Sequence, residues 1–477
     1  LVGAGLSTSG PLVATILTGA IDKKLPPDLR LSDEKRETLA KRQANAAVAL
    51  LRMKQPAQVW PLLKHSPDPR VRSYLIHRLH PLGADAGAII KQLDVEPEVT
   101  IRRALLLILG QYGEKEVSPE ASKAVLPKLK DIYRTDADPG IHASSEWLLR
   151  QWQQDAWLKQ VNDDWAKNKE QREERLDGIR KLLASRAALA AGLNPTPPQW
   201  YVNGQSQTMV VIPGPVEFAM GSPPTEAGGV SNEPQHKKRI GRTFALAAKS
   251  VTLEQYRNFD KDYLLPAVHT RTADLPVVAI DWYRAVNYCN WLSKQEGIPE
   301  DQWCYEIKGP ETKLSANYLR LTGYRLPTEA EMEYATRAGA LTSRYYGETD
   351  ELLPQYAWYL KNAQEQTWPV GRLTPNDLGL FDTHGNVYTW CQESFRPYPT
   401  GNLPEASDDR EDGLLATSAV GRVLRGGSFL LRASDVRSAF RYGQLPTFRN
   451  FIVGLRPART LTVGSDTAAP APLRARN

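Results

Sequence analysis

Apolar residues recur at helical spacing through the first part of the chain. From Asp33 to about residue 190 the dominant period of the apolar positions is that of an α-helix. Three segments in this part, at residues 66–79, 95–110 and 136–152, share an acidic residue and a proline followed by a similar apolar pattern. They are offset by 30 and 40 residues, which is the range of stacked helix pairs, so we predict an array of packed helices.

This array is similar to HEAT-type repeats, and we assign it to residues 33–152. Repeat arrays present extended binding surfaces, so we expect a protein partner there, and a helical domain without a binding role is the alternative. Residues 153–200 continue as a helical stretch with charges of both signs, which is typical of a solvent-facing connector. The connector ends in GLNPTPPQW at residues 192–200, where glycine, asparagine and prolines mark a domain boundary.

After residue 200 the apolar period shortens and loops become frequent. Two strand-like runs flank a Gly-Pro turn at residues 208–222, and helices are predicted at 252–260, 281–296 and 327–338. Thr328 is the predicted N-cap of the last helix, with Glu331 as its partner in a capping box. Many tryptophans accompany these elements, which predicts a loop-rich α+β domain over residues 201–462. We therefore expect a multidomain chain, all-α and then α+β.

Two terminal segments are predicted to lie outside these domains. Residues 1–32 are interpreted as a linker or a truncated segment, because the chain begins at Leu1 without Met and we expect it to be a piece of a longer protein. Pro11 and four glycines interrupt the apolar run at residues 1–20, so we do not predict a membrane span there. Residues 463–477 are predicted to be a disordered tail.

Five motifs in the C-terminal half resemble the formylglycine-generating enzyme family, also called the sulfatase-modifying factor family. They are MVVIPGPVEFAMGS, LPVVAIDWYRAVNYCNWLS, YRLPTEAEMEYATRAGA, PNDLGLFDTHGNVYTW and RVLRGGSF ending in GLRPAR, in family order over about residues 205–462. The resemblance implies a C-type-lectin-like fold. It also implies a reaction, since active members oxidise a cysteine of a sulfatase to formylglycine with dioxygen and one copper(I) ion.

The residues at the implied copper positions depart from the active pattern. In active members two cysteines after the GGS motif bind copper(I), and the resemblance places those positions at Leu431 and Val436. Copper(I) prefers thiolates, and neither of these side chains can bind it. We therefore expect no copper site and a non-catalytic protein, with an active oxidase that converts a target cysteine to formylglycine as the alternative.

The resemblance also implies a calcium site beside the GNVYTW motif. Thr389 stands where the family usually has a glutamate, while Asn386 remains. Because calcium needs several oxygen ligands, the loss of a carboxylate weakens this site without excluding it. No other cofactor is expected.

Between Gly426 and Arg459, fixed motifs alternate with unlike filler residues. The motifs are RGGSF, RSAFR and GLRPAR, and the alternation resembles the variable end of C-type-lectin-fold proteins that diversity-generating retroelements mutagenise. That resemblance implies that the fillers bind a ligand while the motifs hold the backbone. The predicted ligand-binding residues are Leu430, Leu431, Ala433, Asp435, Tyr442, Gln444, Thr447, Phe448, Asn450, Phe451 and Ile452, together with Trp390.

Two questions about this segment stay open at the level of sequence. Apolar fillers that face solvent would form an interaction patch, whereas fillers that face the core would be ordinary strand packing. Six arginines in the segment either pair with buried carboxylates or face an anionic ligand, and they are Arg432, Arg437, Arg441, Arg449, Arg456 and Arg459.

Composition narrows the expected partners. The net charge of +6 is small for 477 residues and is dispersed, so nucleic acid is not an expected partner. Cys289, Cys304 and Cys391 form neither a disulfide framework nor a zinc motif and are interpreted as packed thiols. The expected ligand is a protein or a small molecule bound near the C-terminus, and the sequence names neither that ligand nor a compartment.

Overall fold

The computed structural model describes residues 10–23, 33–189, 197–308, 311–398, 405–413 and 415–462. The α-helices are α1 Gly10–Ile21, α2 Asp33–Arg52, α3 Arg70–Arg78, α4 Ala86–Val95, α5 Val99–Leu109, α6 Pro119–Thr135, α7 Pro139–Gln151, α8 Asp155–Lys167, α9 Lys169–Leu189, α10 Leu253–Arg257, α11 Trp282–Gln295 and α12 Glu329–Arg337. The strands are β1 Gln199–Val202, β2 Thr208–Ile212, β3 Val216–Met220, β4 His236–Ile240, β5 Phe244–Ala247, β6 Tyr305–Lys308, β7 Glu311–Leu314, β8 Tyr324–Arg325, β9 Tyr388–Ser394, β10 Ser407–Asp408, β11 Leu415–Ala416, β12 Arg422–Arg425, β13 Arg441–Gln444, β14 Val453–Gly454 and β15 Ala458–Thr460.

The helical part is built from successive helix pairs. Helix α2 packs on α3, α4 on α5 and α6 on α7, and α5 also packs on both α3 and α7. The three similar segments of the sequence thus form α3, α5 and α7. Two of these helices begin at acidic caps, since Glu98 accepts a hydrogen bond from the Ile101 amide and Asp138 accepts one from the Ile141 amide, both 2.8 Å. The HEAT-type assignment stays a prediction.

The described residues of the second part form four small sheets with helices packed against them. The strand orders are β1-β2-β5-β15-β8, β10-β4-β3, β11-β7-β6 and β13-β12-β9-β14. Helix α11 packs on β8, and α12 packs on β3, β9 and β12. The predicted capping box is present at α12, where Thr328 and Glu331 each accept a hydrogen bond from the other's backbone amide. The predicted organisation, all-α followed by α+β, is confirmed.

The helices and the α+β domain share one apolar core. Tyr345, Tyr346, Phe381 and Val436 from the α+β domain are buried in the same cluster as the inner faces of α2 to α7. The backbones also approach closely, because a Cβ atom added to Gly379 would lie 2.2 Å from the carbonyl oxygen of Pro139 at the start of α7. The helical part therefore packs directly on the α+β domain.

Asp377 lies in a buried ion pair at the centre of this junction. Its carboxylate accepts two hydrogen bonds from Arg72 of α3, at 2.7 and 2.9 Å, and lies 3.0 Å from Nδ1 of His65. Burial alone would raise the pKa of Asp377, but Arg72, His65 and Arg103 together hold it well below its ordinary value. A side chain of the α+β domain is thus paired with cations of the helical part.

Parts of the two predicted terminal segments can be compared with the structure. Residues 10–21 form α1, while residues 1–9, 24–32 and the predicted tail at 463–477 lie outside the described residues. Within the described ranges, the helices are too short or too polar to cross a membrane.

Candidate ligand-binding face

The C-terminal segment is built around the sheet β13-β12-β9-β14. Strand β12 pairs antiparallel with both β13 and β9, and β14 pairs parallel with β9. Directly after β12 the chain turns at Gly426 and Gly427, whose φ angles are +90° and +81°. A Cβ atom on Gly426 would also lie 3.0 Å from the carbonyl oxygen of Thr383. This turn, which starts the predicted ligand-binding segment, therefore depends on glycine.

Buried ion pairs hold the motif residues of this segment. Arg437 donates hydrogen bonds to Glu226 and Glu233 at 2.5 and 2.6 Å. Arg441 donates to both carboxylate oxygens of Glu329 at 2.7 and 2.8 Å. The Arg441–Glu329 pair is bidentate, which fixes both partners in one geometry, while Nη1 of Arg437 joins two carboxylates. We call Arg437, Arg441 and their carboxylates the framework pairs.

The remaining four arginines fall into two groups. Arg456 is buried and donates to the carbonyl oxygens of Ala247 and Phe381, and Arg459 is buried against the Tyr324 ring. Arg432 and Arg449 are exposed. The sequence left two roles open for these arginines, pairing with buried carboxylates or facing an anionic ligand. Arg437 and Arg441 have the first role, and only Arg432 and Arg449 are exposed enough for the second.

None of the eleven filler side chains is fully buried. Leu430, Tyr442, Thr447, Asn450 and Phe451 are exposed, and Leu431, Ala433, Asp435, Gln444, Phe448 and Ile452 are half-buried. The half-buried Leu431, Phe448 and Ile452 pack against the core of the α+β domain. Some apolar fillers are therefore exposed, as an interaction patch would require, and others lie partly against the core, as in ordinary strand packing. We call the eleven residues together the C-terminal face.

Rings beneath the C-terminal face support its exposed aromatic residues. Phe451 stacks on His269 with the ring centroids 4.2 Å apart, and Tyr442 stacks on the buried Tyr388 at 5.6 Å. The Tyr442 hydroxyl also accepts a hydrogen bond of 2.7 Å from the Gln444 amide. These contacts restrict the rotamers of the aromatic side chains, which lowers the entropy lost when a ligand binds.

Trp390 does not belong to the C-terminal face. It lies on β9, between β12 and β14 in the sheet, and its side chain is fully buried. Its indole N–H donates a hydrogen bond of 2.7 Å to the carbonyl oxygen of Ile280. Its burial does not favour the predicted ligand-binding role, because both faces of β9 are covered: Trp390 packs in one apolar cluster and the next residue, Cys391, in another.

Comparison with known proteins identifies the family of this domain. Residues 196–461 match the family described as "Sulfatase-modifying factor enzyme 1-like domain", which is more than half of the 477-residue chain. The chain belongs to this family. The resemblance that the five motifs predicted is thereby confirmed, and residues 196–461 are called the sulfatase-modifying factor domain below.

The share of each relative's length that aligns with this chain differs between relatives. The formylglycine-generating enzyme of Streptomyces coelicolor is 32% identical over 305 residues, which cover 54% of this chain and 91% of that enzyme. The serine/threonine-protein kinase pkn1 of Chlamydia pneumoniae is 29% identical over 187 residues, which cover 39% of this chain and only 24% of the kinase. Among solved structures, Treponema denticola variable protein 1 is 26% identical with a TM-score of 0.45, and the match covers 56% of this chain and 99% of that protein.

The sulfatase-modifying factor domain has aliphatic side chains at both implied copper positions. Leu431 is half-buried and contacts both large apolar clusters, while Val436 is fully buried in the core shared with the helices. Ser428 of the GGS motif, three residues before Leu431, is also buried. Its hydroxyl has no hydrogen-bond partner among the described residues. Leu431 and Val436 offer no atom that binds copper(I), so these residues do not fit the ion.

The three cysteines are buried at other places in the domain. Cys289 lies on α11, Cys391 on β9, and Cys304 just before β6. Burial raises the pKa of Cys304 to about 12 and raises the pKa of Cys289 and Cys391 well above the ordinary value. All three are therefore protonated thiols at neutral pH, whereas copper(I) binds the thiolate.

Asn386 uses its side-chain amide for structure. Its oxygen accepts a hydrogen bond from the Trp368 amide at 3.1 Å, and its nitrogen donates to the Trp368 carbonyl at 2.9 Å. In the part of the chain that the structure describes, three or more histidine, cysteine, aspartate or glutamate side chains do not come together as a metal site. The Asn386 side chain is thus occupied by hydrogen bonds within the protein, and calcium binding beside it stays a prediction.

Sequence reasoning missed two residues beside the C-terminal face. Leu445 is 48% exposed at the end of β13, and His269 supports Phe451 from a distant part of the chain. Leu445 lies among the fillers and could have been found by its apolar side chain in a turn. His269 carries no signal of its role, because its contact with Phe451 joins positions far apart in sequence.

Proposed function

We propose that this protein is a non-catalytic member of the sulfatase-modifying factor family that binds a protein or small-molecule ligand through its C-terminal face. The observation that carries the proposal is the pair Leu431 and Val436, which replaces both implied copper-binding thiolates with aliphatic side chains. Leu431 and Val436 supply no thiolate for the copper(I) that the family's oxidation requires.

The chemistry of the C-terminal face supports a binding role. Leu430, Tyr442 and Phe451 expose 44%, 37% and 38% of their surface beside the exposed cations Arg432 and Arg449. Exposed aromatic and aliphatic side chains surrounded by polar groups are typical of interaction sites, and aromatic anchors often contribute most of the binding free energy. A partner with an apolar centre and an acidic rim would complement this surface.

Copper(I) titration distinguishes binding from catalysis. The full chain is titrated anaerobically with copper(I), mixed with a cysteine-containing sulfatase peptide, and then exposed to dioxygen, with the Streptomyces coelicolor enzyme as the positive control. We expect neither stoichiometric copper uptake nor peptide-dependent oxygen consumption. Oxygen consumption coupled to loss of the peptide thiol would establish the alternative, an active oxidase that makes formylglycine.

A second experiment tests the C-terminal face directly. Proteins captured by the full chain are compared with those captured by Phe451→Ser and by Leu415→Ser, a control that removes a still more exposed apolar side chain from β11 (61% exposed, against 38% for Phe451). We expect a specific partner to be lost with Phe451→Ser and kept with Leu415→Ser. Equal capture by both variants would contradict a role for this face.

Diversification of the C-terminal face is a separate hypothesis. It predicts that related copies in the same genome differ at the eleven face positions and agree at Gly426, Arg437 and Arg441. Variation spread evenly over the domain would contradict it and would leave the binding proposal in place. A protein partner on the helical part stays a further prediction.

A further inference from the structure

A groove lies where the helical connector meets the first strand of the sulfatase-modifying factor domain. It has a volume of about 310 Å³ and is lined by Trp165 of α8, Gln171, Arg172, Glu174 and Arg175 of α9, and Trp200, Tyr201 and Val202 of β1. We call it the connector groove. It shares no residue with the C-terminal face, so it is a separate candidate site.

The side of the connector groove is built from stacked rings. His142 of α7 stacks on Tyr133 with centroids 4.2 Å apart and on Trp200 with centroids 3.6 Å apart. Trp200 is fixed by its indole N–H, which donates a hydrogen bond of 2.8 Å to the carbonyl oxygen of Asp136. Burial lowers the pKa of His142 to about 3, so this ring is neutral at pH 7.

Arg175 lies over Trp200 and is held there in one orientation. Its guanidinium carbon lies 3.6 Å from the Trp200 ring centroid, and its Nε–H donates a hydrogen bond of 2.8 Å to the Trp200 carbonyl. Nη1 and Nη2 have no hydrogen-bond or ion-pair partner among the described residues. These two groups form one edge of the guanidinium, which can donate two parallel hydrogen bonds to a carboxylate or a phosphate.

Other partly buried arginines of the helical part differ from Arg175 in this respect. Arg72 pairs with Asp377, Arg103 with Asp138, and Arg150 with Glu146. Arg175 is removed from water but has no carboxylate paired with it. Its burial lowers its pKa to about 10, so it is still charged at pH 7. A desolvated cation without a counter-ion favours the binding of an anion.

A second arginine and an apolar wall complete the connector groove. Arg172 precedes Arg175 by one helical turn, lies on the same side of α9, and forms no ion pair with the described carboxylates. Glu174, the carboxylate of the lining, is exposed and pairs with neither arginine. Trp165 is half-buried, so part of its ring is available as a flat apolar surface.

We propose that the connector groove binds a small organic oxyanion with a flat apolar body. Two oxygens of its carboxylate or phosphate accept hydrogen bonds from Nη1 and Nη2 of Arg175, Arg172 adds a second positive charge, and the flat body packs on Trp165. The volume of about 310 Å³ lies at the small end of the range for ligand pockets, which suits a single ring with an anionic substituent.

Binding of simple probes to the full chain tests the proposal. Isothermal titration and tryptophan fluorescence are measured with phenyl phosphate and 3-phenylpropionate, with inorganic phosphate as the anion alone and benzyl alcohol as the ring alone. We expect one saturable site for at least one aromatic oxyanion, binding about tenfold or more tighter than inorganic phosphate, and no saturation with benzyl alcohol. The preferred aromatic probe identifies the oxyanion as phosphate or carboxylate.

Substitutions in α8 and α9 test whether the probes bind in the connector groove. Arg175→Lys keeps the charge but loses the paired N–H groups, so affinity should fall about tenfold. Trp165→Leu should lower the affinity for the aromatic probes and leave the affinity for inorganic phosphate unchanged. Arg180→Gln, which removes an exposed charge further along α9, should change nothing. Absence of saturable binding by the wild type overturns the proposal, as does affinity for aromatic oxyanions that survives both Arg175→Lys and Trp165→Leu in folded protein.

Discussion

Arg441 and Tyr442 are adjacent in the sequence and have opposite surroundings. Arg441 is buried and donates two hydrogen bonds to Glu329, whereas Tyr442 is 37% exposed and belongs to the C-terminal face. Arg437 is buried like Arg441, whereas the eleven face residues are exposed or half-buried. Under the proposed function, stability depends on the first group and ligand contact on the second, so one group can change while the other stays fixed.

The largest effect is expected when a framework pair is broken. Arg441→Leu removes both hydrogen bonds to the buried Glu329 carboxylate and leaves only its longer contact with Arg425 at 3.4 Å, which should lower the free energy of unfolding by about 3 kcal/mol. Urea denaturation followed by circular dichroism measures this change. A loss below about 1 kcal/mol would show that Arg441 belongs with the face residues rather than with the framework.

Acid should weaken a second buried pair that holds α12. Burial by itself would raise the pKa of Glu331, but Arg242 and Arg325 lower it from 4.5 to about 2. A depressed pKa in the folded state contributes stability that is complete above the unfolded value and is lost as the pH falls through the folded value. The contribution at neutral pH is about 3 kcal/mol and should decline between about pH 4.5 and pH 2.

The control for this pH dependence is Glu331→Gln. Urea unfolding of both proteins at several values between pH 6 and pH 3 gives the two slopes. The variant should be less stable at pH 6 and should lose less stability on acidification than the wild type. Parallel curves for the two proteins would contradict the assignment to Glu331.

A smaller effect is expected at the second implied copper position. Val436 is fully buried in the core shared with the helices, so Val436→Ala should lower the free energy of unfolding by about 2 kcal/mol through the cavity that it leaves. Thermal unfolding measures the change. A neutral Val436→Ala would mean that this position is not part of the packed core.

The smallest effect is expected on the C-terminal face itself. Tyr442→Ser removes an exposed ring that stacks on Tyr388, so we expect a loss of about 1 kcal/mol, and Thr447→Ala should stay within about 0.5 kcal/mol. Both are measured by urea denaturation beside Arg441→Leu. If Tyr442→Ser cost as much as Arg441→Leu, the separation of framework and face would fail.

Local features of the fold were accessible from the sequence. The capping box of Thr328 and Glu331 involves residues three apart, and the segments that form α3, α5 and α7 carry their own apolar period and turn signals. The family followed from motifs in a fixed order. In each case the information lies within a short stretch of chain.

Contacts between distant residues were not accessible in this way. Arg72 and Asp377 meet across the junction although 305 positions separate them, and nothing in either local pattern points to the other. Trp390 was assigned to the ligand-binding residues on its motif, while its burial depends on the side chains from distant elements that pack on both faces of β9. Exposure of the fillers likewise depends on which residues pack beneath them.

The shared core between the helices and the sulfatase-modifying factor domain has a consequence for large ligands. Because Asp377 and the tyrosines around it join the two parts, the outer helices and the C-terminal face are held at a fixed separation. A bivalent ligand whose two epitopes match that spacing would gain a high effective concentration for its second contact. One with a different spacing would gain none, so geometry alone would discriminate between them.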